Sequence, residues 1–283
     1  MPNKKNKSIS YFYNIYSNEY PRFRSWIFFR LLIFSKVFLI PKNNPFFCVI
    51  NNRSKERIIY LDYLSKKHEY TFWNNKLNLV RVHVSQVANT NYNIWTEGYS
   101  KKYRDSIKLI EKAIKKFNPS DLPPIVIVSD LKMGSGGISS YNHNDDVIYF
   151  NSHYNNQSRI NQVISRRIFA PKNVTDIIQH ELGHKMHWDA VKRFYHANKT
   201  RYNSIKEAKN ELDSKLEAYI SKQEPGYLYS TMSIYASKSF EMKKKYNSNN
   251  AVNEVIAEFT VKKRTIDTTL NELIERELSY GKI

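Results

Sequence analysis

Cysteine is almost missing from this chain of 283 residues, in which Cys48 is the only one. A lone cysteine cannot form an intrachain disulfide, so no disulfide framework stabilises the fold. A buried core must do so instead, and the chain is long enough for one large domain or two small ones. A hydrophobic content of 41%, with 21 tyrosines and 15 phenylalanines, is typical of a globular chain and not of a disordered one.

The chain also lacks an apolar run long enough to cross a bilayer, which takes about 20 consecutive apolar residues. Its most hydrophobic stretch, residues 26–40, reads WIFFRLLIFSKVFLI and contains Arg30 and Lys36. It begins too late for a secretory signal. We therefore expect no transmembrane segment. The stretch suits an amphipathic helix at a membrane interface or a helix that is buried or docked on a partner, and we favour the second interpretation.

Glycine is scarce too, and three of the seven glycines stand close together as Gly134, Gly136 and Gly137. They lack the spacing of a phosphate-binding loop and no helix pattern follows directly, which excludes nucleotide binding there. The next polar segment, residues 142–146, reads NHNDD. Its histidine and aspartates could hold a metal, but a turn between two strands is the better interpretation.

Acidic residues are few, with 26 Asp and Glu against 45 Lys and Arg, a net charge of +19. Residues 1–120 hold 22 basic and 7 acidic side chains, whereas residues 121–283 hold 23 and 19. The first part could therefore contact a polyanion such as nucleic acid, an anionic membrane or an acidic protein. The alternative is a general composition bias, because Lys, Asn, Ile and Tyr are abundant throughout the chain.

Hydrophobic periodicity predicts a mixture of helices and strands without an internal repeat. Helical patterns cover residues 101–117, 159–169, 173–188, 202–222, 251–263 and 268–278. Strand patterns cover residues 79–84, 125–128, 138–141 and 147–151, whereas residues 85–98 and 227–235 are predicted to be irregular. We place a domain boundary near Gly98, so that a basic, aromatic-rich region of unknown role, residues 1–97, precedes a domain of residues 98–283.

The most informative stretch is NVTDIIQHELGHKMHW, residues 173–188, because it contains H-E-x-x-H as His180, Glu181 and His184. On an α-helix the two histidines lie one turn apart on the same face, so both imidazoles can reach one metal ion. Zinc is the usual ion, since it accepts imidazole nitrogen and keeps a position for water. Glu181 is then the candidate for moving a proton from that water. The alternative is a surface helix that carries two histidines by chance.

Local signals support a helix at this motif. Asn173 follows Pro171 closely and is suited to the N-cap position, and Asp176 stands three residues later, where a reciprocal cap is made. Gly183 costs the helix about 1 kcal/mol relative to alanine. Its presence within the motif indicates a close approach, which we expect to be to the cleft.

A catalytic zinc needs a third protein ligand, and the helix itself does not offer one. A metzincin would have histidine where Ala190 stands and glycine where His187 stands, so that family is excluded. His187 shares the face of His180 but lies roughly 10.5 Å further along the axis. We interpret it as a supporting or surface residue.

The segment NEVIAE, residues 253–258, resembles the N-E-x-x-x-D/E or E-x-x-A-E segment of the gluzincins, a group of zinc metallopeptidases. In that group the first glutamate is the third zinc ligand, and the later acid lies behind a histidine ligand. The resemblance implies that Glu254 binds the metal and that Glu258 accepts the outward N–H of a zinc-bound histidine. The alternative is two solvated glutamates on an ordinary helix.

The order of segments across residues 122–260 is similar to the metallopeptidase-like region of phage minor head, or head morphogenesis, proteins. It is distantly similar to the catalytic domain of anthrax lethal factor. The resemblance implies a zincin-like α+β domain with a small mixed sheet over the H-E-x-x-H helix. It also implies a peptide or protein substrate, phage head or portal proteins as partners, and a location in the bacterial cytoplasm or the virion. Residues 1–97 do not share it.

The same resemblance implies a peptidase mechanism in which Glu181 moves the proton and a tyrosine or histidine stabilises the oxyanion. Tyr235 is the first choice for that donor, with Tyr229 and Tyr227 behind it. The strand at 147–151 would lie beside the cleft, where its free edge could pair with an extended peptide. Two other functions stay open: a phage assembly protein with an inactive or structural zinc site, and a basic nucleic-acid-binding protein.

Overall fold

The computed structural model describes residues 81–87, 90–133, 137–246 and 250–282. In these residues it shows an α+β fold with a five-stranded mixed sheet and nine α-helices. The strands are β1 (Arg81–Val87), β2 (Thr90–Thr96), β3 (Ile125–Val128), β4 (Ser139–Asn142) and β5 (Val147–Asn151). The helices are α1 (Lys101–Ile114), α2 (Asp130–Met133), α3 (Gln157–Ile164), α4 (Val174–Ala197), α5 (Ile205–Ser221), α6 (Tyr227–Thr231), α7 (Ile234–Lys245), α8 (Asn253–Lys262) and α9 (Thr268–Ser279).

The predicted α+β class and the small mixed sheet are confirmed. The interpretation of residues 26–40 lies outside the described residues, as do Gly134, Gly136 and most of the predicted region 1–97. None of the helices above combines the length and the apolar character that crossing a bilayer requires.

The strand order in the sheet is β1-β2-β3-β5-β4. The pairs β2–β3 and β3–β5 are parallel, whereas β1–β2 and β4–β5 are antiparallel hairpins. Every residue of β3 and β5 is buried, which explains why both strands read as continuous apolar runs and not as alternating patterns.

Strand β2 corrects the prediction that residues 85–98 are irregular. Its sequence is TNYNIWT, in which Asn91 and Asn93 are exposed while Tyr92 and Ile94 are buried. The alternation is that of a strand, but asparagine has a low strand propensity and disguised it. The sheet therefore includes residues 81–87 and 90–96, and the predicted boundary near Gly98 falls directly after β2.

Helices α1 and α4 build the first core against the sheet. Ile107, Ile110 and Ile114 of α1 pack with sheet residues such as Ile125, and α4 adds the apolar side chains of its first turns. Those α4 residues are Val174, Ile177, Ile178 and Leu182. One face of the first turns of α4 is therefore buried in the first core, and the histidines lie on another face of the helix.

The N-terminus of α4 is capped as the sequence predicts. The Asn173 side chain accepts a hydrogen bond from the backbone N–H of Asp176 at 3.1 Å. The Asp176 carboxylate accepts from the backbone N–H of Lys172 at 2.8 Å, one residue before the expected partner. The helix runs to Ala197, nine residues beyond the predicted end at Trp188.

The second core surrounds α8. Val255, Ile256 and Ala257 are fully buried there, and Leu270 and Ile274 of α9 pack against the apolar side of the same cluster. Residues 227–235, predicted to be irregular, instead form α6 and the beginning of α7. Leu228 and Ala236 join this core, which is why the segment folds into short helices despite its aromatic and polar composition.

Helices α4 and α8 approach each other at Gly183. A β-carbon at this position would lie 2.5 Å from Thr260 Oγ1 and 2.8 Å from the Cα of Ala257. The close approach is therefore to the helix that carries Glu254, and the expectation that it faces the cleft is wrong. Only glycine allows the two backbones to pack at this distance.

Gly183→Ala is expected to lower the free energy of unfolding by about 1–3 kcal/mol, because the added methyl group must push α8 away. In an unconstrained helix the same change would stabilise by about 1 kcal/mol, so the sign of the effect is diagnostic. Chemical denaturation of both proteins measures it. His196→Ala, at an exposed position of the same helix, is the control and should change stability by less than about 0.5 kcal/mol.

Candidate metal centre

Three side chains predicted to bind a metal meet at one point. His180 and His184 come from α4, and Glu254 comes from the first turn of α8. Glu254 Oε2 lies 3.2 Å from His180 Nε2 and 3.5 Å from His184 Nε2. His180 and Glu254 are buried, whereas His184 is partly exposed, so the site has one side open to solvent.

The spacing of these atoms fits a metal ion. Two ligands of a tetrahedral zinc, each about 2.0–2.1 Å from the ion, lie about 3.3 Å apart. The two distances to Glu254 fall on either side of that value. Glu254 Oε2 is buried, and no described residue donates a well-aligned hydrogen bond to it. A buried carboxylate oxygen of this kind needs a cation or a proton donor.

Glu258 supports the site from behind. Its Oε1 lies 3.2 Å from His180 Nδ1, the ring nitrogen that points away from Glu254. Its Oε2 accepts a hydrogen bond from the backbone N–H of Ala170 at 2.6 Å. The two atoms do not form a well-aligned hydrogen bond, but a carboxylate beside Nδ1 favours the tautomer of His180 in which Nε2 is free for a metal.

The electrostatics of the site are dominated by buried opposite charges. Burial would lower the pKa of His180, but contacts with Glu254 and Glu258 raise it well above its usual value. Burial would raise the pKa of Glu254, but His184 and His180 hold it well below its usual range. Burial lowers the pKa of Lys243, whose charge also interacts with Glu254. A metal ion at this point would therefore compete with a proton for the His180 imidazole.

Glu181 is held by β4, the strand nearest to it. Its Oε1 accepts a hydrogen bond from Ser139 Oγ at 2.6 Å, and its Oε2 accepts from the backbone N–H of Tyr141 at 2.7 Å. Each carboxylate oxygen has a second lone pair, so both can still accept from a water. Two donors on β4 therefore fix the orientation of the Glu181 carboxylate.

Strand β5 does not have the free edge that the sequence predicts. Strand β5, residues 147–151, pairs with β3 on one side and β4 on the other, so it has no free edge. The prediction that it could pair with a peptide is wrong. In the described sheet β4 is the outermost strand on this side, and it contacts α4 through Glu181.

The three candidate tyrosines lie in different places. The Tyr235 ring centre is 6.3 Å from that of His180, and its backbone N–H donates to the carbonyl of Ile168 at 3.0 Å. The Tyr227 hydroxyl donates to Asp267 at 2.6 Å, and the Tyr229 side chain is 60% exposed. Tyr235 is therefore the one of the three that the fold brings beside the histidines.

His187 is neither a supporting residue of this site nor a surface residue. It is fully buried and lies 2.9 Å from both Asp213 and Glu277, in a separate cluster. Helix α4 continues well beyond His184, and one turn later the face that carries His180 is buried. His187 lies on this buried part. His143 also stays outside the metal site, since its ring stacks on Trp188 with a centroid separation of 3.6 Å.

Sequence reasoning missed Ser139, Tyr141 and Ala170, which hold Glu181 and Glu258. Two of these contacts are made by backbone N–H groups, which carry no residue signature. Ser139 stands 42 positions before Glu181, and only the pairing of β4 with β5 brings it there.

Comparisons with known protein families, with characterised proteins and with solved structures found no match to this chain. A functional assignment therefore depends on the residues and their geometry.

Substitution of the ligands should weaken zinc binding in a fixed order. If Glu254 is the third ligand, Glu254→Ala should lose nearly all high-affinity zinc, while Glu258→Gln should weaken binding by about 10–100-fold through His180. Isothermal titration with zinc, beside elemental analysis of the purified protein, measures both. Glu224→Ala, an exposed position, is the matched control. Equal zinc content in Glu254→Ala and the control would rule out the third ligand.

Proposed function

We propose that this chain is a zinc-dependent metallopeptidase of the gluzincin type, with a zincin-like domain, that hydrolyses peptide bonds. One observation carries the proposal. His180, His184 and Glu254 lie at metal-ligand spacing, and Glu181, on the same helix as the histidines, is oriented by two hydrogen bonds. Three ligands with an exposed side are the arrangement of a catalytic site, whereas structural zinc sites have four protein ligands.

In this proposal His180, His184 and Glu254 hold Zn²⁺, and Glu258 keeps His180 in the correct tautomer. When bound, the ion makes water acidic enough to attack near neutral pH and polarises the scissile carbonyl. The burial of Glu254 supports this role, since the surrounding protein lowers the local dielectric and strengthens its interaction with a cation.

Glu181 moves the proton. Its carboxylate accepts a proton from the attacking water as the oxygen bonds to the carbonyl carbon, and then gives that proton to the leaving amine as the C–N bond breaks. Atoms balance without any other reagent, and the two products are a carboxylic acid and an amine. The two hydrogen bonds from β4 restrict rotation of the carboxylate and keep it in one orientation.

Tyr235 is proposed as the donor that stabilises the oxyanion. Its ring lies beside His180, and its backbone is tied to the segment that also contacts Glu258. A hydroxyl aimed at the developing negative charge acts most strongly in a site from which water is excluded. Strand β4, the outermost strand of the described sheet on this side, is the proposed place for an extended peptide, which would pair with outward backbone groups other than the Tyr141 N–H that already donates to Glu181.

The substrate follows only from the resemblance to phage head proteins, so proteins of a phage particle are the first candidates. The alternative roles, in particle assembly with an inactive or structural zinc site or in binding nucleic acid through residues 1–120, are outcomes of the same experiments.

Glu181→Gln is expected to retain zinc and to lose peptidase activity by at least about 10²–10⁴-fold, because an amide cannot take the proton. His180→Ala should lose both zinc and activity. Zinc content and cleavage of a broad peptide library, measured on the same preparations, separate chemistry from metal binding.

Two results would contradict the proposal in different ways. A wild-type protein that binds zinc but cleaves neither the library nor phage head proteins points to an assembly role. A Glu181→Gln variant as active as wild type places the activity elsewhere. Salt-dependent DNA binding without cleavage would favour the nucleic-acid role.

Tyr235→Phe should lower kcat by about 10²–10³-fold with little change in zinc affinity, because only the hydroxyl is removed. Tyr229→Phe, at an exposed position in the preceding helix, is the control and should keep full activity. Steady-state kinetics with one peptide that the wild type cleaves well measure kcat for both variants. Equal loss in the two variants would mean that Tyr235 has no special role.

A further inference from the structure

A second group of ionisable side chains is buried where α4, α5 and α9 meet. His187 comes from α4, Lys209 and Asp213 come from α5, and Glu277 comes from α9. Their exposures are 0%, 1%, 3% and 5%, so all four are shielded from solvent. Charged groups this deep are costly unless they are paired, so their pairing determines how the three helices hold together.

The hydrogen bonds of this four-residue cluster converge on one nitrogen. His187 Nε2 lies 2.9 Å from Asp213 Oδ1 and 2.9 Å from Glu277 Oε1. The Lys209 ammonium donates to the other oxygen of Asp213. One ring N–H cannot serve two acceptors fully, and Glu277 Oε1 has no well-aligned donor among the described residues. A second proton-bearing group would satisfy it, and Glu277 itself can be that group.

The distances favour a proton over a metal ion. The separations of 2.9 Å are those of hydrogen bonds, whereas two ligands of one zinc lie about 3.3 Å apart. Lys209 also places a positive charge against Asp213, where it would repel a divalent ion. The same helix α4 therefore carries two histidine–carboxylate groups of different kinds.

The charges balance only if the cluster holds a proton. Lys209 offsets Asp213, which leaves the Glu277 carboxylate to be neutralised by one proton shared with His187. Without that proton the interior contains an uncompensated negative charge. Loss of a partner from a buried ion pair typically destabilises a protein strongly.

The pKa shifts of the cluster residues agree with this charge balance. Burial raises the pKa of Glu277 to about 7. Burial would lower the pKa of His187, but Asp213 raises it above its usual value. Burial would raise the pKa of Asp213, but His187 and Lys209 hold it at about 2. The pair of His187 and Glu277 therefore keeps its proton at neutral pH.

Other charged groups near the cluster do not supply a positive charge that could replace this proton. Burial, with Lys192 and Lys209, lowers the pKa of His143 to about 4, so this ring is neutral at physiological pH. Lys243 interacts with both Glu254 and Lys209. Arg193 donates to the carbonyls of Tyr280 and Leu278 at the end of α9, so it binds backbone and not the cluster.

We propose that the cluster of His187, Lys209, Asp213 and Glu277 is a one-proton latch that holds α9 against α4 and α5 and releases it as pH rises. The latch has consequences for the metal centre, since Leu270 and Ile274 of α9 share a core with Val255 and Ile256 of α8. Release of α9 would remove Leu270 and Ile274 from this shared core. The inference does not depend on peptidase activity.

The direction of the pH effect follows from linkage. Below about pH 6.5, the ordinary pKa of an unfolded histidine, folded and unfolded chains both hold the proton. Above it the folded chain holds one proton more, so stability falls as pH rises until the folded chain also releases it. The folding constant should fall by at most about tenfold per pH unit, and this slope is reached only where the unfolded chain has lost the proton and the folded chain still holds it, so we expect a fall of about tenfold between pH 6.5 and 8.5.

Glu277→Gln tests the latch in the full-length chain. The amide removes the carboxylate charge, so neutral His187 needs no extra proton, and the alkaline loss of stability should disappear. Between pH 6.5 and 8.5 the folding constant of the variant should rise about tenfold relative to wild type, measured by urea denaturation in one metal buffer. Glu275→Gln, exposed on the same helix, should follow wild type. Parallel profiles of Glu277→Gln and wild type would overturn the proposal.

A measurement on wild type alone guards against a variant that does not fold. Amide hydrogen exchange, corrected for the intrinsic effect of pH, should show protection falling about tenfold in α9 between pH 6.5 and 8.5. Protection in α1, which lies in the other core, should stay higher than protection in α9 at every pH, because α9 also opens locally. Protection in α9 that does not change between pH 6.5 and 8.5 would contradict the latch.

Discussion

The contact between α4 and α8 is the constraint on which the candidate site depends. The two helices come from distant parts of the chain, and Gly183 lets their backbones meet because no side chain separates them. Thr260 completes the contact by donating to the carbonyl of Gln179 at 3.1 Å. At this separation Glu254 reaches both histidines, and Glu258, one turn later, reaches the opposite side of His180. A larger residue at 183 would move both glutamates away together.

Two histidine–carboxylate groups on one helix show how spacing determines chemistry. At His180 the contacts to carboxylate oxygen are 3.2 Å, and the site is open on the side of His184. At His187 they are 2.9 Å, and the surroundings are closed. In the first arrangement one Glu254 oxygen lies 3.2 Å and 3.5 Å from two imidazoles, the separation expected of ligands on one ion, while in the second two carboxylates lie at hydrogen-bond distance from one imidazole nitrogen. The residue types are nearly the same in both, so composition alone does not distinguish a metal site from a buried ion pair.

Much of the fold and of the candidate site was predictable from sequence, because local signals determine them. The helix of the H-E-x-x-H motif has its own cap at Asn173, β3 is an uninterrupted apolar run, and β5 is apolar up to its last residue, Asn151. The convergence of Glu254 with the histidines was expected from a family resemblance and is seen in the geometry. What failed depends on long-range packing. The strand at Thr90–Thr96 is hidden by its asparagines, β5 has two neighbours, and His187 is buried by helices that follow it in the chain.

The segment Ile168–Phe169–Ala170 contacts both Tyr235 and Glu258, the two residues beside His180. Its first carbonyl accepts from the backbone of Tyr235, its aromatic ring lies 4.8 Å from the Tyr235 ring, and its last N–H donates to Glu258. Main-chain atoms therefore form a continuous bridge between the phenol on one side of His180 and the carboxylate on the other. The backbone of Tyr235 and the carboxylate of Glu258 are therefore both positioned by the same three residues. An insertion or deletion within this bridge would move both groups at once.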